Sequence, residues 1–498
     1  VEALLAVSFV RTLLLIAVAG ALSAWIFLVE APRLEQEAKA EFLLDVDPAS
    51  VEKVRMDYPD GSSIEAVREG EEWKLTAPVA YPADSSVVAN FLTTVQETKI
   101  ERRLNKEEAG ALSSYGLEGD TGSQARLELT EKGGKALPAV VFGISTPVGH
   151  QAFARREGSD EVLVVPLLLQ STIKKNPDDL RRKAMFSGDT EGVNRVSITG
   201  PNGNIVLERR GENEWILQSP LLDEADAESV RSMLDSIATI DATGFYDGDK
   251  ADRAAFGLAD GATRFLATRE DGSTIEFLIG KEAADPPAGL YFERTSDGQV
   301  VKAPDWVKAK FAPPVAELRQ KRLLSCRADE ILSMTWRGGG GEAPFTIARE
   351  AAGKPWTISP EVAGEVVNQR VVDNAVRSLV TARADEVVGD ANTDEDLARW
   401  GLDAPSARLE VAGTKGSCAS LAGAVVTMET PAADREAPAP RLPGDGRVRY
   451  VKNAARSAVL RASEHEFSRI TTKRPAFVDA SAPADEAGEA EPEAAPGN

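Results

Sequence analysis

The chain has 498 residues, of which 43% are hydrophobic and 27% are charged, and its formal net charge is −22 at pH 7. This composition excludes a fibrous or wholly disordered protein, and the length suffices for three or four domains. The negative charge disfavours nucleic acid and anionic lipid surfaces as partners, because both are themselves anionic.

Cysteine and histidine are scarce. The chain contains only Cys326 and Cys418, together with His150 and His465. No Cys-x-x-Cys pair and no histidine cluster is present, so we expect no metal site and no cofactor. The cysteine spacing favours unpaired thiols, with a single disulfide as the alternative.

The first predicted element is an apolar segment at residues 12–29, which contain no charged residue. In a helix this segment would extend about 27 Å, close to the hydrocarbon thickness of a bilayer. We therefore predict a transmembrane anchor at residues 1–30 and a linker at residues 31–45. Arg11 precedes the segment and favours an extracytoplasmic location for the rest of the chain. A signal peptide cleaved after Ser23 is the alternative.

Two motifs then recur three times, each at steps of about 142 residues. The first is a tryptophan followed by a proline: Trp73 and Pro78, Trp215 and Pro220, Trp356 and Pro360. The second is an aromatic residue followed by Gly-Leu: Tyr115-Gly116-Leu117, Phe256-Gly257-Leu258 and Trp400-Gly401-Leu402. The shared period predicts repeats at 46–188, 189–326 and 327–475, the third divergent, and a disordered acidic tail at 476–498.

Each copy shows the same order of local patterns. Short alternating segments that predict strands lead to the tryptophan, and a helical stripe follows. In the first copy this stripe consists of Val88, Phe91, Leu92 and Val95, with Asp84 or Ser85 as the helix cap. We therefore predict an α+β fold: an N-terminal transmembrane helix followed by three tandem repeats of a small antiparallel-sheet-plus-helix domain.

We interpret the recurring residues as structural anchors. A tryptophan on a strand opposite an amphipathic helix is typical of a core, and each glycine permits a left-handed turn. Sugar stacking on the tryptophans is the alternative. The predicted anchors are Trp73, Pro78, Gly116, Leu117, Trp215, Pro220, Gly257, Leu258, Trp356, Pro360, Gly401 and Leu402.

Two copies close with a basic motif, Leu180-Arg181-Arg-Lys183 and Leu318-Arg319-Gln-Lys321. Cations at a helix C-terminus complement the helix dipole, so we predict that these motifs end helices lying over the next copy.

Motifs of catalysis are missing from the sequence. It contains no Gly-x-Ser-x-Gly elbow, no phosphate-binding loop and no His-Glu-x-x-His. Residues 143–149 predict a hairpin loop, with an anion cradle as the alternative. We expect no enzyme activity and assign no catalytic residue.

The repeated order of these motifs resembles the DUF4340 family, a bacterial family of membrane-anchored repeat proteins of unknown function. Its members are commonly encoded beside ABC-2-type transporters and a gliding-motility-type auxiliary protein. The resemblance implies a single-pass protein of the bacterial inner membrane, with its bulk periplasmic. It also implies an ABC permease, its ATPase or an auxiliary envelope protein as partner.

Three functional hypotheses follow. The leading one is a non-enzymatic, membrane-anchored extracytoplasmic accessory or scaffold protein of an ABC-type transporter or envelope complex. The alternative is an extracytoplasmic protein that binds a small molecule or glycan between adjacent repeats, in an apolar pocket with a few polar groups. An envelope hydrolase would need a polar constellation confined to one repeat, and the sequence shows none.

Overall fold

The computed structural model describes residues 41–118, 125–201, 203–338, 343–427 and 447–480. These residues form two compact units. The first contains the described residues up to 185 together with 241–251, and the second contains 186–240 and the described residues from 252 onward. The predicted anchor and most of the predicted tail lie outside the described residues. The repeat boundaries stay a prediction.

One antiparallel sheet, the first sheet, forms the frame of the first unit. Its strands are β1 (Val51–Asp57), β2 (Ser63–Glu69), β3 (Glu72–Ala77), β4 (Tyr81–Pro82), β5 (Arg102–Leu104), β6 (Ala125–Glu131), β7 (Lys135–Ala136), β8 (Val140–Ser145), β9 (Gln151–Arg156) and β10 (Val162–Pro166). They lie in the order β4-β3-β2-β1-β6-β8-β9-β10-β5, with β7 on β6. The helices are α1 (Ser85–Glu97), α2 (Lys106–Ala109), α3 (Leu167–Ile173) and α4 (Pro177–Leu180).

The second unit contains two further large sheets. The first of these is the second sheet of the chain. Its strands in this unit are β11 (Val193–Gly200), β12 (Gly203–Arg209), β13 (Trp215–Ser219), β14 (Asp223–Ala225), β16 (Thr263–Arg269), β17 (Thr274–Ala283), β18 (Gly289–Arg294) and β19 (Gln299–Ala303). Their order is β14-β13-β12-β11-β16-β17-β18-β19. Strand β15 (Gly244–Tyr246) belongs to the segment of the first unit.

The third sheet repeats this path. Its strands are β20 (Ile331–Gly338), β21 (Phe345–Ala348), β22 (Thr357–Ser359), β24 (Glu386–Asp390), β25 (Ala407–Gly413), β26 (Gly416–Thr427), β27 (Arg447–Asn453) and β28 (Ala458–Ala462). They lie in the order β22-β21-β20-β25-β26-β27-β28-β24, and β23 (Glu365–Val367) pairs separately with β29 (Val478–Ala480). The helices of the second unit are α5 (Ala227–Ser236), α6 (Trp306–Phe311), α7 (Val315–Leu318), α8 (Gln369–Thr381), α9 (Asp394–Arg399) and α10 (Glu464–Ser468).

The predicted fold class is wrong, because the described chain is mostly antiparallel sheet with few helices. Each sheet carries one amphipathic helix of 10 or 13 residues, α1, α5 or α8, and the other helices have seven residues or fewer. Among the described helices, none is long and apolar enough to cross a membrane. The helical stripes were visible in the sequence, but the sheets are far larger than the short alternating segments suggested.

The sheets bury residues on both faces. In the first sheet, Val140 and Phe142 join the large core beneath α1, whereas Val141 lies between them in sequence and joins a smaller cluster with Leu117 and Phe153. Neighbouring residues of a strand point to opposite faces, so these two clusters lie on opposite faces of the sheet. The aromatic-Gly-Leu loop therefore covers the face that the helix leaves open.

The chain continues in regular structure beyond residue 475. Residues 476–480, which the sequence analysis assigned to the tail, instead complete a 3-10 helix at Arg474–Phe477 and form β29. The Phe477 side chain is buried in the core of the third sheet. The cause is local, since Phe477 and Val478 are the last apolar residues before the Ala, Pro and Glu-rich sequence.

The two cysteines form a disulfide, against the favoured prediction of free thiols. Cys326 and Cys418 have Cα atoms 5.7 Å apart, and both pack against the core of the third sheet. The predicted repeat boundary placed them in different copies, but Cys326 belongs to the segment that leads into β20. The bond therefore joins this leading segment to strand β26.

The first prediction concerns close backbone contacts at two glycines. A Cβ atom on Gly280 would lie 2.3 Å from the carbonyl oxygen of Phe256, and one on Gly143 would lie 2.0 Å from that of Tyr115. We expect Gly280→Ala to lower the free energy of unfolding by about 2 kcal/mol, because a backbone oxygen cannot move aside easily. Urea denaturation measures the change.

Gly211→Ala is the matched control. Its Cβ would approach only the flexible carboxylate of Glu214, at 3.3 Å, so the change should lie within about 0.5 kcal/mol. Equal stability of the two variants would contradict the close approach of the Phe256 loop to β17.

The second prediction concerns the disulfide. The two cysteines are 92 residues apart, and loop-closure entropy gives such a cross-link about 4 kcal/mol of stability. We expect the free energy of unfolding of the double variant Cys326→Ser, Cys418→Ser, measured by urea denaturation, to be lower by that amount. Dithiothreitol should destabilise the native protein equally and leave the double variant unchanged. Insensitivity of the native protein to reductant would show that the bond does not form.

Candidate functional site

The predicted anchor residues occupy matching positions. Trp73, Trp215 and Trp356 are 3–8% exposed. Each motif proline follows a cis peptide bond, at Ala77-Pro78, Ser219-Pro220 and Ser359-Pro360. Gly116, Gly257 and Gly401 have φ of 65–70°, and the leucines that follow them, Leu117, Leu258 and Leu402, are buried. Each motif thus occupies an equivalent position in every copy. In the first and third copies, the tryptophan and the leucine belong to different hydrophobic clusters.

The tryptophans lie inside the cores and offer no open stacking platform. The Nε1 atom of Trp356 donates a hydrogen bond to Asp373 at 2.9 Å, and Arg349 lies over the indole ring at 4.4 Å. The segment at residues 143–149 is the end of β8 and the turn into β9, closed by a hydrogen bond from the Thr146 amide to the Gln151 carbonyl.

The closing basic motif forms a deeply buried charged site. Arg181 and Arg319 follow directly after the one-turn helices α4 and α7, with extended backbone. Each makes an isolated antiparallel bridge to the end of an edge strand of its own copy, at Ala83 or Ala225. The arginines are 2–3% exposed. As predicted, they end helices, although these helices have only four residues each, and their side chains contact carboxylates.

In the first unit, Arg181 binds Asp247 through both terminal nitrogens, at 2.6 and 3.1 Å. Its guanidinium also lies against two aromatic rings, 5.3 Å from the centroid of Tyr81 and 4.7 Å from that of Phe245. Asp247 and Phe245 come from the segment 241–251. One arginine therefore fixes that segment to the closing motif by a bidentate ion pair and by cation–π contacts.

In the second unit, Arg319 makes the equivalent bidentate pair with Asp390, at 2.7 and 3.1 Å. Asp223 occupies the position that Tyr81 has in the first sheet, and it accepts a hydrogen bond from Nε of Arg319 at 2.6 Å. Arg456 contacts the same carboxylate through two nitrogens, at 2.9 and 3.0 Å. The second and third sheets are thus joined by two arginines and two aspartates.

These contacts favour the charged forms of Asp223 and Asp390. Burial opposes ionisation of Asp223, but hydrogen bonds and charge from Arg456 and Arg319 outweigh it, so the pKa of Asp223 lies below its ordinary value. The hydrogen bond from Arg319 also lowers the pKa of Asp390. The arrangement binds two parts of the chain together. Among the described residues, no group of three or more potential ligands could hold a metal ion.

The third copy ends differently. The carbonyls of Leu180, Leu318 and Phe477 each accept a hydrogen bond from the residue that caps the copy's main helix. Val478 therefore stands where Arg181 and Arg319 stand in the other copies. The third copy therefore has an apolar residue in place of the fastening arginine.

Sequence reasoning found the two arginines but missed their partners. Arg181 is 66 residues from Asp247, Arg319 is 71 residues from Asp390, and Arg456 is 233 residues from Asp223. A usable signal existed: each arginine is followed by an aspartate at a similar distance. No sequence pattern indicated that Asp223 occupies the position of Tyr81, or that Arg456 contacts Asp223.

The third prediction tests this junction. We expect Asp223→Asn to lower the free energy of unfolding of the second unit by about 3 kcal/mol, because two buried arginines lose their shared countercharge. Glu276→Gln is the control: its partner Arg264 is half exposed, and loss of that pair should cost less than about 1 kcal/mol. Equal costs would contradict a buried junction.

The same variant should change the response to acid. The folded-state pKa values of Asp223 and Asp390 lie below the unfolded value of about 3.9. Their contribution is therefore complete above that pH and is lost as the pH falls through the folded-state values. Urea denaturation from pH 6 to pH 3 should show a smaller acid loss for Asp223→Asn than for the native protein.

Comparison with known proteins gives a family and nothing more specific. Residues 73–224 and 215–405 match the family described as Domain of unknown function (DUF4340), and together they span well over half of the chain. No curated protein matches the chain, and no solved structure matches it. The matched residues include all three tryptophan–proline motifs and all three aromatic-Gly-Leu motifs. The chain belongs to the DUF4340 family.

Proposed function

We propose that this protein is a non-enzymatic accessory or scaffold protein of the bacterial cell envelope, associated with the inner membrane and exposed on its extracytoplasmic side. It binds an ABC-type permease, the ATPase of that permease or an auxiliary envelope protein. The observation that carries the proposal is the repeated junction. Two deeply buried arginines, Arg181 and Arg319, fasten segments that are far apart in the chain, which suits a scaffold.

Two features support the location. The disulfide between Cys326 and Cys418 suits an oxidising compartment, because thiols of cytoplasmic proteins are kept reduced. The uncharged sequence at residues 12–29 is apolar enough to associate with a membrane.

Exposed apolar side chains supply candidate contacts with a partner. Leu222 and Val362 each lie two residues after a motif proline, and they are 71% and 48% exposed. One exposed leucine is ordinary on a protein surface. Because the same turn exposes an apolar residue in two copies, both turns are candidates for contact with the partner.

The fourth prediction tests partner binding. The protein, tagged at its C-terminus, is extracted from its own membranes in mild detergent, and co-purifying proteins are quantified by mass spectrometry. We expect an ABC permease and its ATPase in near-stoichiometric amounts. The double variant Leu222→Ser, Val362→Ser should recover them at least fivefold less well. Val148→Ser, which changes an exposed residue of the first unit, is the control.

Recovery of the tagged protein alone, in a soluble form that lacks residues 1–23, would contradict the accessory role. Equal recovery with the double variant would keep that role but remove the two turns from the binding surface.

A second candidate function is extracytoplasmic binding of a small ligand between adjacent copies. It is favoured by an open cleft between the second and third sheets.

A further inference from the structure

The cleft between the second and third sheets has a volume of about 660 Å³. One side is formed by β13, β14 and the turn before β13, and the other by residues 320–328 with the end of α8. Its size lies within the range of about 300–1,000 Å³ that is typical of small-molecule sites. Its lining includes the apolar residues Ile216, Leu324 and Val380.

Two lining residues of opposite charge have no charged partner. Glu214 lies in the turn before β13, and Arg322 lies in the segment that leads to the third sheet. Neither side chain forms an ion pair within the described part of the chain. The other charged groups are engaged: Glu224 accepts hydrogen bonds from Ser325 at 3.0 and 3.3 Å, and Arg327 binds Asp329. The cleft therefore offers one anion and one cation.

Contacts within the chain hold the backbone on both sides of the cleft. Arg322 is held by a backbone bridge to Arg383, and the disulfide at Cys326 ties the same segment to β26. The Glu214 carbonyl accepts a hydrogen bond from the Arg210 amide at 2.9 Å, which closes its turn. A preformed site loses little affinity to ordering of the protein when a ligand binds.

We propose that this cleft binds a small zwitterionic ligand, with its ammonium group on Glu214 and its carboxylate on Arg322. The proposal rests on the second candidate function and not on partner binding. A ligand with only negative charge would face Glu214 and Glu224, and one with only positive charge would face Arg322 and Arg327. A neutral glycan would leave Glu214 and Arg322 without a countercharge. A ligand that carries both charges can pair with Glu214 and with Arg322.

Isothermal titration calorimetry on the oxidised full-length protein in detergent tests the proposal. The probes are tetra-alanine with free ends, its N-acetylated form and its C-terminal amide. We expect tetra-alanine to bind about tenfold more tightly than either blocked peptide, because each block removes one charge-assisted hydrogen bond. Glu214→Gln should abolish the preference for the free N-terminus, and Arg322→Gln the preference for the free C-terminus.

Glu212→Gln and Arg408→Gln are matched controls, because both residues are exposed and neither lines the cleft. These variants should bind all three peptides as the native protein does. Absence of tetra-alanine binding at millimolar concentration, or equal affinity for the three peptides, would overturn the proposal. Binding of a neutral oligosaccharide such as cellotriose, unchanged in both cleft variants, would overturn it in favour of a glycan site. None of these outcomes depends on recovery of a membrane partner.

Discussion

The structure depends on buried arginines that bind carboxylates far away in the sequence. A charged group removed from water is costly unless it is paired and hydrogen-bonded, so such an arginine is stable only when its partner is in place. Arg181 meets Asp247, and Arg319 meets both Asp223 and Asp390. A misplaced segment would leave a buried cation without a countercharge. The pairs therefore select one arrangement of the segments that they join.

Arg181 and Arg319 are both buried, but different side chains surround their charges. Arg181 lies against the rings of Tyr81 and Phe245 and pairs with Asp247, and a second carboxylate, that of Asp178, lies 3.4 Å from its Nε atom. Arg319 has Asp223 in the place of the tyrosine, and the added negative charge is matched by Arg456. Around these junctions, the sheets carry the ordinary stabilisation of buried apolar surface on both faces. The helix covers one face and the aromatic-Gly-Leu loop covers the other.

Much of each copy could be predicted from the sequence, because the signals are local. The stripe in α1 is buried at Val88, Phe91, Leu92 and Val95, and Asp84 caps that helix through the amides of Ser86 and Val87. The family was also identified correctly from the order of the motifs. The extent of the sheets was missed, because strands such as β19 alternate weakly and are buried along nearly their whole length. The disulfide and the ion pairs join residues that are 66 or more positions apart, and sequence spacing carries no record of such contacts.

The arginine junction should make the second and third sheets of the second unit unfold together. Pulsed hydrogen exchange with mass spectrometry, along a urea series, measures this directly on the full-length protein. We expect peptides from β11–β12 and from β25–β26 to become labelled at the same urea concentration in the native protein, and at two different concentrations in Arg319→Met. Separate transitions in the native protein would contradict it.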